Sequence, residues 1–121
     1  FDEETRMSKY LVTFLAPASV IDEWQKTEPA KRKAAEDKMM ADWKQWMASH
    51  AKSFVDFGAG VGKTKRVTPQ GSANSRNDIM VYSVVEAESH DAAAKMFEGH
   101  PHLGIPQSSI EVMEIRAMPP M

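Results

Sequence analysis

Residues 57–64 read FGAGVGKT. The string falls one residue short of G-x-x-x-x-G-K-[ST], the loop whose backbone N–H groups cradle nucleotide phosphates. Two folds hang on it. A phosphate loop implies a large parallel sheet and a helix that starts near Lys63. A Gly-rich strand implies a small antiparallel sheet. The flanking residues favour the strand. Phe57 stands where the motif needs Gly, and its side chain would crowd the turn. Pro69 and Gly71 lie where the helix should run. Gly58, Gly60 and Gly62 alternate, so in a strand they share one face and leave it bare. Such a face permits a bulge, a close backbone approach or room for a ligand.

Outward from this strand the pattern is regular. Upstream, Glu28 to about His50 reads as the clearest helix. Met39, Met40, Trp43, Trp46, Met47 and His50 recur at three- and four-residue steps, and Pro29 suits the first turn. Further upstream, Lys9–Leu15 is a strand with Tyr10, Val12 and Phe14 on one face. Ser19 and Asp22 have the spacing of a capping box for a short helical turn. Downstream, TPQGSANSRND reads as a loop rich in turn formers. Ile79–Ala87 is a strong strand. Ser89 caps a helix over DAAAKMFE, Gly99 suits its C′ position and Pro101 stops it. The loop HPHLGIPQS leads to a last strand, Ile110–Ala117. The order β-α-β-β-α-β predicts an α+β ferredoxin-like sandwich, two helices on one face of an antiparallel sheet.

The strands also speak about partners. Ile79, Val81 and Val85 share one face, and Met80, Tyr82 and Val84 the other. Ile110 and Val112 oppose Met113 and Ile115. Two helices cover only one face, so a second layer is expected on the other. A second copy of the chain, packed sheet to sheet as a homodimer, supplies it.

The chain has 121 residues and no Cys, so one domain (residues 7–121) is expected, without disulfides or a thiol nucleophile. Residues 1–6 carry no pattern and read as an expression remnant or a natural extension. Seventeen acidic residues nearly balance 15 basic ones, for a net charge of −2, which disfavours nucleic acid as a partner. The polar, acidic start lacks a signal-peptide pattern, and no apolar run approaches membrane-spanning length. The expectation is a soluble, cytoplasmic protein with no membrane partner.

Chemistry concentrates in GHPHLGIP. Pro101 biases His100 to an extended backbone, so His100 and His102 can lean to one side. Such a pair relays protons, binds an anion or a metal, or simply packs in a loop against carbonyls. His100 follows a helix C-terminus, whose dipole favours the protonated ring. No three- or four-ligand spacing is readable, so no metal and no cofactor are assigned. His50 reads as a helix C-terminal cap and His90 as an exposed first-turn residue. Trp43 and Trp46 read as core or as cleft wall, and Glu111 or Glu114 as a candidate inward carboxylate.

The run YSVVEAES, a short helix and GHPHLGIPQSSIEVMEIRAMP together resemble the YCII-related proteins, near the DGPF-type branch. The HPHL and IEVMEI pieces carry the likeness most specifically, and it extends over about residues 7–121. The resemblance implies a ferredoxin-like fold assembled as a dimeric α/β barrel. It also implies small-molecule acid–base chemistry of the lyase or isomerase type, without a cofactor. The His–Asp pair of better-studied relatives has no counterpart in the first helix, which holds no His before His50. His100 and His102 are its local substitutes as catalytic groups. In that reading Trp43, Trp46, Tyr82, Ser83, Gly58 and Gly60 bind a small organic molecule between sheet and helices. The alternative is a non-catalytic dimeric module that binds a ligand or regulates a partner. Its mark would be an HPHL loop pinned by carbonyls, with no cavity beside it.

Overall fold

The computed structural model describes residues 7–119. The extension at residues 1–6 and the last two residues of the MPPM tail lie outside them.

Strand β1 (Ser8–Leu15) begins the fold. Helices α1 (Ala18–Gln25) and α2 (Pro29–Ser49) follow, and a 3-10 turn (Ala51–Ser53) leads into β2 (Phe54–Gly60). Two short strands, β3 (Thr64–Thr68) and β4 (Gly71–Ser75), precede β5 (Ile79–Ala87). Helix α3 (His90–Met96), a second 3-10 turn (Pro101–Gly104) and β6 (Ser109–Glu114) complete the order.

Four strands form one sheet in the order β2-β5-β1-β6, with every neighbouring pair antiparallel. The first strand therefore lies at the centre, where alternation decides which side chains are buried. Tyr10, Val12 and Phe14 stand opposite Val85, Ser83 and Val81 on β5, and opposite Glu114, Val112 and Ile110 on β6. This face meets α2, α3 and the Pro101 turn, and its core is Tyr10, Val12, Phe14, Val85, Ala87, Ala93 and Phe97. The Phe14 ring touches Trp43, Phe97, His100 and His102, each centroid within 5.0–5.9 Å. Leu11, Thr13, Met80, Tyr82, Val84, Glu111 and Met113 fall on the opposite face by the same register. The two-sided apolar pattern read from the strands is thus present.

The helix ends follow their chemistry. The Glu28 carboxylate accepts from the N–H groups of Ala30 and Lys31, satisfying two free donors of α2, and Pro29 takes a position whose missing N–H costs nothing. Ser89 Oγ accepts from the Ala92 N–H at 3.0 Å at the start of α3. The expected capping box at Ser19 does not form. Helix α1 starts at Ala18 behind Pro17, without a side-chain cap. Asp22 instead receives a two-pronged hydrogen bond from Arg76, at 2.9 and 3.2 Å, which also holds its carboxyl below the usual range. On α2 the stripe of Trp43, Trp46 and Met47 is half-buried, but Met40 is exposed, as is most of the helix before Met39.

Two further expectations need correction. TPQGSANSRND is not one loop. Thr64–Thr68 and Gly71–Ser75 pair residue for residue as a separate two-stranded ribbon around Pro69-Gln70. Pro and Gly close a hairpin as readily as they mark a loop, and Gly71 sits at φ +120°, closed to most L-residues. The last strand also stops at Glu114, short of Ala117.

Candidate functional site

The HPHL segment is where polar side chains enter the core. Gly99, at φ +79°, turns the chain after α3, and Pro101 opens the 3-10 turn. His100 caps that turn: its Nδ1 accepts the His102 backbone N–H at 2.9 Å. His102 Nε2–H donates to the Leu15 carbonyl at 2.8 Å, 87 positions away in the chain. Ser108 Oγ–H donates to the His102 carbonyl at 3.0 Å. The Leu15 carbonyl lies where the β1–β5 register slips between Phe14 and Leu15, at the end of the ladder.

Both rings are sealed, with His100 2% and His102 1% exposed. His100 packs beside Trp43 (4.6 Å between centroids) and Trp46 (4.4 Å). Since its Nδ1 is an acceptor, its proton sits on Nε2, which finds no acceptor among the described residues. Close, steeply inclined indole rings offer that N–H only a weak π partner. Burial, and then the charges that His102 and His50 would carry, push His100 down to about 4. Burial also lowers His102, against hydrogen bonds to the backbone at Leu15 and Ser109. The helix-dipole argument for a charged His100 is therefore overturned. Desolvation outweighs a dipole effect of about 1 kcal/mol, and both rings are neutral at pH 7.

The remaining histidines sit as expected. His50 caps α2, with Nδ1–H donating to the Trp46 carbonyl at 2.9 Å and its ring stacked on Trp46. His90 is exposed in the first turn of α3, stacks on Tyr10 and donates to the Val112 carbonyl at 2.7 Å.

The other candidate residues do not converge. Trp43 and Trp46 join the histidines as walls of a filled core. Ser83 is on the same side of the sheet, but its Oγ–H is spent on the Phe57 carbonyl at 2.8 Å. Tyr82 faces the other side, as its neighbour on a strand must, so it cannot share a cleft with His100. Gly58 holds no room for a ligand. At φ +78°, a Cβ there would stand 1.6 Å from the Tyr82 carbonyl oxygen, so the glycine admits the strand's own neighbour. A Cβ at Gly60 would meet the Met80 carbonyl oxygen at an ordinary 3.7 Å, and the irregular pairing of β2 breaks the shared glycine face.

Two concavities stand out among the described residues. One, of about 280 Å³, runs along the β3–β4 ribbon from Arg66 to Ser75. The other, of about 230 Å³, is a groove between α3 and β6 lined by Ala94, Phe97, Glu98, Leu103, Ile110 and Val112. Neither is lined by His100 or His102. Among the described residues no three His, Asp or Glu gather as a metal site, and no helix is long and apolar enough to cross a membrane.

Sequence reasoning passed over one element of the site and one polar group on the other face of the sheet. The Leu15 carbonyl that holds His102 is a backbone group, invisible in residue types. Thr13 stands between Tyr82 and Glu111 on the open sheet face, with a buried hydroxyl that has no partner among the described residues.

The geometry defines an α+β protein whose four-stranded antiparallel sheet is covered by helices on one side. No protein-family model matches the chain, and no curated protein matches it.

Proposed function

We propose that the chain is a YCII-related protein of ferredoxin-like topology that works as a non-catalytic, homodimeric ligand-binding or regulatory module. Two copies pack their open sheet faces together as a dimeric α/β barrel, and the occupant it serves is a small organic molecule. The observation that carries this reading is the contrast between the two sheet faces. On the helix-covered face the two histidines are pinned by a carbonyl and a backbone N–H, and neither lines a concavity among the described residues. The open face carries Leu11, Val84 and Met113 in one row across three strands, with Met113 38% exposed. An apolar row of that kind marks an interaction surface.

Sedimentation tests the assembly. The 13.5 kDa chain is expected to run as a dimer at micromolar concentration, and Val84→Lys or Met113→Lys to run as a monomer. A monomeric parent overturns the assembly. Modification with diethylpyrocarbonate tests the role of the pair. His90 is expected to react while His100 and His102 resist in the native protein.

One observation favours a second reading, acid–base catalysis by His100: its Nε2 beside Trp43 and Trp46 has no partner among the described residues. A ligand acceptor would complete it. Reaction of His100 as fast as that of His90 restores this reading.

A further inference from the structure

Strands β3 and β4 form a ribbon outside the main sheet, and neither packs extensively on another element. Its base is held. Thr64 Oγ1 accepts from Asn77 Nδ2 at 3.5 Å, and Arg76, just past β4, grips Asp22. Its body is exposed, with Val67 77% accessible on β3. An isolated two-stranded hairpin is at best marginal in water, so a regular ribbon held at its base calls for a surface to lie on.

We infer that this ribbon is an arm that crosses to a second copy of the chain and lays Arg66 against the partner's β6, at Glu111. The inference rests on the sheet-face dimer proposed above. Charge complementarity points to it. The ribbon leaves the sheet at its β2 edge and carries Lys63, Lys65 and Arg66. The opposite edge, β6, carries Glu111 and Glu114. Arg66 and Glu111 have no side-chain partner among the described residues, whereas Glu114 has Arg116 at 3.5 Å and Lys65 has Asn74. A two-fold axis lying between two facing sheets and along their strands sets each β2 edge over the partner's β6 edge. That axis brings the basic arm to the acidic edge, whereas the perpendicular in-plane axis would set β2 edge over β2 edge with the two arms at opposite ends.

Area argues the same way. Four strands at about 4.8 Å spacing and some 23 Å of length present roughly 440 Å². A stable interface needs about 800 Å² per partner. A ribbon about 17 Å long and 10 Å wide adds a footprint of roughly 170 Å² of its own. That is about half of what the sheets lack.

The test is a charge exchange read by sedimentation over a dilution series, with circular dichroism confirming that each variant folds. Arg66→Glu and Glu111→Arg are each expected to raise the dimer dissociation constant at least tenfold. The double variant, which restores opposite charges across the contact, is expected to recover most of that loss. Added salt is expected to weaken the parent dimer and to affect Arg66→Glu less. A dimer whose affinity is unmoved by either single change overturns the arm and leaves the sheet-face reading standing. So does a double variant weaker than both singles. A parent that is monomeric throughout overturns both.

Discussion

His100 turns the sealed core into a measurable pH dependence. Its ring is neutral in the folded protein down to about pH 4, whereas in the unfolded chain it protonates near 6.5. Between those values the unfolded state binds more protons, so stability rises with pH through the window and is lost as pH falls. The gap corresponds to about 3 kcal/mol between pH 7 and pH 4, roughly two-thirds of it gone by pH 5. The perturbation is His100→Asn. The Asn Oδ1 replaces Nδ1 as acceptor for the His102 N–H, but the side chain does not titrate. The smaller residue lowers stability at every pH, so the quantity to read is the difference between two curves. Urea unfolding at fixed protein concentration, from pH 7 to pH 4, gives both. The parent is expected to lose about 2–3 kcal/mol more than His100→Asn across that range. Parallel curves would refute the reasoning, because they require a ring that protonates in the folded state as easily as in water.

Three further outcomes follow from the packing. Gly58→Ala is expected to cost about 3–5 kcal/mol, from left-handed strain and from strand separation that breaks the Ser83–Phe57 bond, while Gly62→Ala, which meets nothing within 4 Å, stays within about 0.5 kcal/mol; equal thermal shifts would contradict this. Phe14→Ala removes the ring at the centre of the aromatic cluster and is expected to cost about 3–5 kcal/mol by urea titration. A cost below 1 kcal/mol would mean the cluster repacks. Ser89→Ala removes the cap of α3 and is expected to cost about 1 kcal/mol, with amide exchange rising at Ala92 before it rises in β5.

How much of this was legible varied with the physics. Strands β1 and β5 and helix α2 declare themselves, because their burial follows a period of two or about four residues and the period is written in residue types. The Ser89 cap is equally local. The ribbon was not legible, since Pro69 and Gly71 serve a loop and a hairpin alike, and the Thr64–Ser75 pairing depends on register. Gly58 was seen as a glycine that matters, but its reason is a carbonyl on β5, 24 positions away. Period-two alternation already separated Tyr82 from Ser83, and grouping them in one cleft ignored it. Whether a His-x-His pair faces a cavity or a core depends on what surrounds it. Trp43, Trp46 and the Leu15 carbonyl, which surround this pair, come from distant parts of the chain.

The sheet order carries a consequence for biosynthesis. The central strand β1 is translated first, yet its two neighbours, β5 and β6, span Ile79–Ala87 and Ser109–Glu114. A nascent chain therefore carries the apolar segment YLVTFL with both backbone edges unpaired until residues 79–87 have left the ribosome. Short, apolar, β-prone and uncharged segments of this kind seed intermolecular pairing. Among the described residues, helices α1 and α2 follow β1 directly and are in place to shield it before β5 emerges. The exposure of this segment accordingly spans the window between translation of Leu15 and of Ala87, a kinetic interval that slower elongation lengthens and that ribosome-associated chaperones would have to cover.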